Sequence, residues 1–185
     1  MATYYVDGKT GNDSNGNGSA NDPWKTIGKA VSKVAPGDEV RIRTAVYKEE
    51  INTNVRNTVW KPDTGHKPVI DGGYHDGLFS PNGTLPHPEN GGGFLPKMGS
   101  MILLKEEGIT VDGLIVQNCA GVGFHISYSN CVIKNCRIDF TYDQAIRVNP
   151  GASYADNLVV ENNVCTRTSM KYYDPLRVGA GPAKV

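Results

Sequence analysis

Three segments of the sequence decide the fold: ITVDGLIVQN (109–118), CVIKNCRIDF (131–140) and LVVENNVCTR (158–167). Placed under one another, they share four columns that are apolar or cysteine at every position but Asn163. The columns are Ile109/Cys131/Leu158, Val111/Ile133/Val160, Leu114/Cys136/Asn163 and Val116/Ile138/Cys165. Apolar residues at alternate positions are typical of strands with one buried face. Each segment therefore predicts two short strands.

A fifth column, Gly113/Asn135/Asn162, lies between the second and third apolar columns. The alternation stops at this column and resumes after it. Glycine and asparagine tolerate the left-handed backbone region better than other residues do. The column therefore predicts a corner between two strands, and we expect Asn135 and Asn162 to form a side-chain ladder.

A further strand is predicted after each pair, in GFHIS (123–127), AIRVN (145–149) and PLRVG (175–179). Their apolar residues align as Phe124/Ile146/Leu176 and Ile126/Val148/Val178, and the residues that point the other way are His125, Arg147 and Arg177. A period of about 20–30 residues with several strands per period indicates a solenoid. We predict a parallel β-helix, in which like residues stack at about 4.8 Å.

The N-terminal half predicts the start of such a solenoid. YYV (4–6) is a strand, and Asp22 and Pro23 are expected to begin a helix that covers the first coil. Its apolar stripe is Trp24, Ile27, Val31 and Val34. Residues 39–51 alternate as one strand, and 57–62 and 67–73 as two more. Residues 74–100, rich in proline and glycine, predict a long inserted loop.

Length and charge limit the class of protein. A chain of 185 residues suits one domain. We divide it into an N-terminal strand, loop and helix (1–38), first coils (39–73), the inserted loop (74–100) and repeated coils (101–185). The 19 basic and 19 acidic residues balance, which argues against nucleic acid as a partner. No apolar run approaches the roughly 20 residues of a membrane span, and the N-terminus lacks a signal-peptide pattern.

Cysteines and acidic residues offer weaker signals for disulfides or metals. Cys119, Cys131, Cys136 and Cys165 form no C-x-x-C pair, so buried free thiols are expected ahead of a disulfide or a metal site. In the loop 7–23, oxygen ligands for calcium are available from Asp7, Asn12, Asp13 and Asp22. Their spacing departs from the calcium-loop pattern and favours plain turns. A metal site from His75, Asp76 and His87 is a further alternative.

Three stretches carry a family resemblance: YYVDGKTGNDSNGNGSANDPWKTIGKAVSKVAPGDEVRIRTAVYKEEI (4–51), KPVIDGG (67–73) and GITVDGLIVQNC (108–119). The chain resembles the right-handed parallel β-helix superfamily of pectate-lyase-like proteins. The resemblance implies an all-β solenoid with an N-terminal amphipathic capping helix. The superfamily includes polysaccharide lyases, glycoside hydrolases, epimerases and phage tailspikes, so the pattern is more specific for fold than for chemistry.

The same resemblance implies candidate site residues. Lyases of this superfamily use an arginine or lysine base on an outward-facing strand, with calcium or a cationic side chain neutralising the uronate. The candidate catalytic residues are Arg147, Arg177 and His125, and the candidate substrate-binding residues are Asp143, Asp174, Tyr142 and Tyr173. No cofactor is required by the sequence, and calcium stays open. Ordinary solvated ion pairs are the structural alternative for the same arginines and aspartates.

Two functions follow as expectations. The first is a polysaccharide lyase or glycoside hydrolase that acts on an acidic polysaccharide, outside the cell or on a virion. The second is a non-catalytic module of a phage tail or surface protein that supplies rigidity or glycan binding. The chain ends in LRVGAGPAKV (176–185) without a capping helix. We therefore expect either a piece of a longer protein or self-association, through this end or as a trimer.

Overall fold

The computed structural model describes residues 1–73, 99–148 and 155–168. The chain begins with β1 (Thr3–Val6) and α1 (Ile27–Val31). The first coil has β2 (Glu39–Ile42), β3 (Val46–Tyr47) and β4 (Ile51–Thr53), and the second has β5 (Val59–Pro62), β6 (Val69–Asp71) and β7 (Ser100–Leu104). The third coil has β8 (Thr110–Asp112), β9 (Ile115–Cys119) and β10 (Val122–Ile126), and the fourth has β11 (Val132–Lys134), β12 (Arg137–Thr141) and β13 (Ile146–Val148). Then follow β14 (Val159–Glu161) and β15 (Val164–Thr166).

Corresponding strands of successive coils form three parallel sheets. The first sheet has the order β1-β2-β5-β8-β11-β14, the second β3-β6-β9-β12-β15 and the third β4-β7-β10-β13. Every strand pair is parallel, as a solenoid of stacked coils requires. The predicted all-β parallel β-helix is confirmed.

The register confirms the predicted columns of inward residues. Ile133 pairs with Val111 on one side and with Val160 on the other. Ile138 pairs in the same way with Val116 and Cys165, and Phe124 pairs with Ile146. Most of these side chains belong to one continuous buried core. Burial of such apolar ladders is the main source of stability in a fold whose contacts are between neighbouring coils.

The predicted corner also forms. Gly113, Asn135 and Asn162 have φ angles of 76°, 54° and 54°, all in the left-handed region. The expected ladder between the Asn135 and Asn162 side chains is wrong. The Asn135 Nδ2 instead donates to Asp112 Oδ1 of the coil below at 2.7 Å. Asp112 thus offers the Asn135 amide a charged acceptor in the coil below.

A second column of left-handed residues precedes the first sheet and was not predicted. Its members each stand two residues before a strand of that sheet: Gly37, Asn57, Gly108, Asn130 and Asn157. Here the side-chain ladder does occur, because Asn157 Nδ2 donates to Asn130 Oδ1 at 3.2 Å. The stacked asparagines therefore belong to a different corner from the one that the sequence indicated.

The helix is shorter than expected and begins at a different residue. Thr26 is its N-cap and accepts a hydrogen bond from the Lys29 N–H, so the prediction of Asp22 and Pro23 as the start is wrong. Trp24 instead pairs with Val6 as an extended bridge. The buried residues Ile27 and Ala30 attach the helix to the core, and the helix contacts β1 and β4.

Two predicted boundaries change. Residues 39–51 are not one strand, since the chain turns two corners and forms β2, β3 and the start of β4. Of the predicted loop 74–100, residues 74–98 lie outside the described part, and Ser100 already belongs to β7, where it pairs with Val122. The predicted strand 175–179 also lies outside the described residues. Within the described part, no helix is long and apolar enough to span a membrane.

The cysteines are free thiols, as predicted. Cys119, Cys131 and Cys136 are buried as predicted, whereas Cys165 is exposed, so the expected burial is wrong for that residue. Burial raises the pKa of Cys119 to about 12 and that of Cys136 to about 11. The three buried thiols therefore act as small apolar groups in the core rather than as nucleophiles.

Candidate functional site

A cleft opens where the second sheet turns into the third. Its volume is about 280 Å³. Its described lining comes from three successive coils: Gly99, Ser100, Ala120, Gly121, Val122, His125, Tyr142, Asp143 and Arg147. Four of the side chains that the sequence singled out therefore share one cleft, namely His125, Tyr142, Asp143 and Arg147.

The stacking of coils brings the two cationic candidates together. His125 lies in β10 and Arg147 in β13, and they are direct partners in the register of the third sheet. Adjacent strands of a sheet lie about 4.8 Å apart, so the two side chains project from neighbouring rungs on the same face. The alternation of apolar and polar residues in the sequence correctly predicted that both side chains point outward.

A third corner sets the position of Tyr142 and Asp143. Asn118, Phe140 and Arg167 are left-handed there, with φ of 55°, 59° and 48°. A positive φ is unusual for a bulky residue and is maintained here by complete burial of the Phe140 ring, over which the Arg167 guanidinium lies at 5.2 Å. The chain then enters the turn that lines the cleft.

Backbone hydrogen bonds hold that turn to the coil below. The Tyr142 N–H donates to the Cys119 carbonyl at 2.9 Å, and the Asp143 N–H donates to the Gly121 carbonyl at 3.0 Å. The Thr141 hydroxyl donates to the Asp143 carbonyl at 3.1 Å. The Tyr142 and Asp143 side chains therefore project from an anchored backbone.

The Arg147 guanidinium is held by two residues that precede it. It forms an ion pair with Asp143, and its Nε donates to the Gln144 side-chain oxygen at 2.8 Å. The Arg147 side chain is 35% exposed and that of Asp143 17%. Arginine remains a cation in proteins, so this arrangement presents an oriented positive charge whose nearest neighbour is a carboxylate.

His125 has a polar neighbour that sequence reasoning missed. The Ser100 Oγ and the His125 Nδ1 lie 3.3 Å apart, with the ring partly buried. Which of the two donates depends on the tautomer of the ring. Ser100 escaped prediction because it was placed in the inserted loop. The only available sequence signal was its position directly before the apolar run 101–104.

Arg177, Asp174 and Tyr173, the remaining predicted site residues, lie outside the described part of the chain. The structure therefore brings together one predicted catalytic pair, His125 and Arg147, with two predicted substrate-binding residues, Tyr142 and Asp143.

A second polar cluster covers the outer face of the second sheet. Asp71 accepts hydrogen bonds from the Gln117 and Asn118 side chains at 2.8 and 3.1 Å. Two coils further on, Asp139 accepts from Arg167 and Thr166, and the Arg167 hydrogen bond is the largest of the causes that lower the pKa of Asp139. A general acid of a glycosidase needs a raised pKa, so Asp139 is unsuited to that role.

The oxygen-bearing side chains considered for calcium in the loop 7–23 accept hydrogen bonds that hold local turns and, for Asp13, the start of the helix. Asp7 accepts from Lys9 and Thr10, and Asn12 accepts from Ser14 and Asn15. Asp13 accepts from Lys25 and Thr26, and Asp22 from the Asn17 N–H. Among the described residues, no group of three or more His, Cys, Asp or Glu side chains is placed to hold a metal ion. His75, Asp76 and His87 lie outside that part.

The structure is similar to solved structures of larger proteins. One is described as rhamnogalacturonan lyase, with 13% identity and a TM-score of 0.56, covering 89% of this chain and 51% of that one. Another is the complex of XylC with xylose, with 14% identity, a TM-score of 0.59 and coverage of 94% and 55%. A third is a lacto-N-biosidase from Eubacterium ramulus, with 17% identity, a TM-score of 0.51 and coverage of 92% and 31%.

This chain thus spans about half the length of the first and about a third of the last. At these identities the similarity concerns the fold alone. No curated protein sequence matches the chain. A family model described as "right handed beta helix region" matches residues 79–175, which is more than half of the chain. The chain therefore belongs to the right-handed parallel β-helix family.

Proposed function

We propose that the protein engages a carbohydrate in the cleft between its second and third sheets and acts there as a lyase on an acidic polysaccharide. The observation that carries the proposal is the pairing of His125 with Arg147 on adjacent rungs of one cleft. Carbohydrate is the ligand class because the solved structures that share the fold include a rhamnogalacturonan lyase, a lacto-N-biosidase and a complex with xylose.

The proposed reaction is a β-elimination at a uronate residue. The proton on C5 leaves to a base, a double bond forms between C5 and C4, and the C4–O glycosidic bond breaks as its oxygen takes up a proton from water. The negative charge that develops at C5 spreads into the adjacent carboxylate and must be offset by a cation. Arg147 supplies that positive charge in the described cleft.

His125 is the group that we propose takes the proton. An imidazole exchanges a proton near neutral pH, whereas arginine remains charged. Arg147 is also oriented by Asp143 and Gln144, which suits a binding and charge-neutralising role. Tyr142 lines the same cleft and presents an aromatic ring and a hydroxyl to a sugar.

A glycoside hydrolase is less well supported by the described residues. The two-carboxylate mechanism needs a pair of acidic side chains across the scissile bond. Asp143 is the one carboxylate in the described lining of the cleft, and it is engaged by Arg147.

The test is turnover of a panel of uronate polymers, followed by the ultraviolet absorbance of the unsaturated product. We expect His125→Ala to abolish turnover while saccharide binding persists. Arg147→Ala is expected to reduce turnover by at least about 100-fold and Arg147→Lys by less, because lysine keeps the charge but loses the fork geometry. Arg137→Ala, an exposed arginine on the second sheet, is the matched control and should behave as the wild type.

The same assay in the presence of a chelator tests calcium. We expect turnover to persist, since Arg147 places a cation where the charge develops; loss on chelation and recovery with Ca²⁺ would instead assign that role to the metal. Unsaturated product that is insensitive to both His125→Ala and Arg147→Ala would refute the proposed site. Binding without product would favour a non-catalytic glycan-binding module, and light scattering would then show whether it forms trimers or larger assemblies.

A further inference from the structure

The ion pair between Asp143 and Arg147 lies in the wall of the proposed saccharide cleft. Both side chains line the cleft, and both are more buried than exposed. Charges in such partly buried sites are screened less than charges in open solvent. Since Gln144 binds the Nε, the guanidinium has its orientation before any ligand arrives. A ligand carboxylate that approaches Arg147 therefore meets a cation already paired with a neighbouring anion.

We propose that Asp143 is a specificity-determining residue that sets the charge selectivity of the cleft. Its carboxylate partly neutralises Arg147 and repels a second carboxylate, so it limits the affinity for the acid group of a uronate. A neutral sugar keeps its interactions, because a hydroxyl accepts from Arg147 or donates to Asp143. Moderate affinity for the acid favours turnover, since binding the ground state more tightly does not accelerate the chemical step. The inference rests on the proposed function of the same cleft.

The experiment compares two ligands with the same sugar backbone, trigalacturonate and its fully methyl-esterified counterpart, in which each carboxylate is replaced by an uncharged methyl ester. Binding of each is measured by calorimetry for the wild type, Asp143→Asn and Asp143→Glu. We expect Asp143→Asn to bind the acid about tenfold more tightly than the wild type, and to bind the ester within about twofold of it. Asp143→Glu keeps the charge and should keep the wild-type ratio between acid and ester.

An equal change of affinity for both ligands in Asp143→Asn would overturn the inference, because it would show a purely structural role. An unchanged or weaker affinity for the acid would overturn it as well. Circular dichroism and thermal melting establish that each variant folds, and Asp143→Ser replaces the asparagine variant if that one does not. If the wild type binds neither ligand, both the proposed binding of uronates and this inference are overturned. If the wild type binds but Asp143→Asn does not alter the preference for the acid, this inference alone fails.

Discussion

Gly108 offers the sharpest test of the corner column at the scale of single residues. Its φ is 69°, and a Cβ at this position would lie 2.1 Å from the Asn57 Oδ1 of the coil below. We expect Gly108→Ala to lower the free energy of unfolding by about 2–3 kcal/mol, from backbone strain together with displacement of the Asn57 side chain. Urea denaturation of the purified chain measures the change.

Gly65→Ala is the matched control, since Gly65 has a φ of 78° and nothing within 4 Å of its added Cβ. That substitution isolates the backbone strain, which amounts to about 1 kcal/mol. Equal losses in the two variants would mean that the Asn57 side chain moves aside without cost. That outcome would contradict a rigid close approach of Asn57 to Gly108.

Asp139 predicts a loss of stability in acid. The hydrogen bond from Arg167 is the main cause that lowers its pKa below the ordinary value of 3.8. A carboxyl group with a lowered folded-state pKa stabilises the fold above its unfolded-state pKa, and this contribution is lost as the pH falls through the folded-state pKa. We therefore expect the urea midpoint to fall as the pH is lowered from about 5 to about 2, and to fall less in Asp139→Asn.

Glu39 is a second carboxyl group with a lowered pKa, so it also makes the fold less stable in acid. Burial alone would raise the pKa of Glu39, but hydrogen bonds and charge from Lys61 and Arg41 outweigh burial and lower it. The asparagine variant of Asp139 should therefore retain part of the acid sensitivity. An identical pH dependence in the wild type and in Asp139→Asn would contradict the assignment to Asp139.

The start of α1 carries the prediction at the scale of elements. Thr26 accepts from the Lys29 N–H at 3.1 Å and donates to Asp13 at 2.8 Å, and Glu49 accepts from the Ile27 and Gly28 N–H groups at 2.9 and 2.8 Å. We expect Thr26→Ala to cost about 1–2 kcal/mol of unfolding free energy, because it removes both hydrogen bonds of the hydroxyl. Thermal and urea unfolding provide the measurement.

Thr26→Ser keeps the hydroxyl and should stay within about 0.5 kcal/mol of the wild type. Asp22→Ala tests the residue that the sequence suggested as the cap. Asp22 accepts from the Asn17 N–H in an exposed loop, so its replacement should cost less than that of Thr26. The reverse order would restore Asp22 as the start of the helix.

The same helix shows why element boundaries were partly missed. Asp22-Pro23 is a strong local start signal, yet Trp24 is bound into an extended bridge with Val6, and this tertiary contact delays the helix. Residues 39–51 were misjudged for a related reason. The strand Val46–Tyr47 has only two residues, too few for an interruption of the alternation to be seen. Residues 43–50 also contain no Gly or Asn, the residue types that indicated the corner at Asn135.

The four thiols test the whole described fold at once. Cys165 is exposed, whereas Cys119 of the third coil and Cys131 and Cys136 of the fourth are buried. We expect a thiol reagent to modify one cysteine in the native protein and all four in denaturant, with Cys165→Ser removing the native reaction. Partial burial raises the pKa of Cys165, so the native reaction should accelerate in alkaline solution. Peptide mass spectrometry assigns the site, and native labelling of Cys136 would contradict the packed core.

The fold was predictable because stacking repeats the same pattern in every coil. Val111, Ile133 and Val160 could be aligned by eye, and the register confirmed the alignment.

The cleft was predictable only in part. The alternation of apolar and polar residues identified His125 and Arg147 as outward-facing. Ser100 was missed because residues 74–98 separate its strand from the rest of its coil in the sequence, so that the two parts are neighbours only in space. The ion pair of Asp143 with Arg147 was expected as the structural alternative, but its position in the wall of the cleft depends on a turn that sequence alone does not orient.

The long interval between β6 and β7 has a consequence for how such proteins diversify. β6 keeps its register with β9, and β7 keeps its register with β4 and β10, although residues 72–99 separate the two strands in sequence. A corner of this solenoid thus accommodates a long interval of sequence while the rungs on either side keep their register. Because Gly99 and Ser100 open directly into the cleft, a segment exchanged at this corner would remodel the rim of the site and leave the scaffold intact. Grafting at this corner is therefore a route to new ligands that leaves the core sequence unchanged.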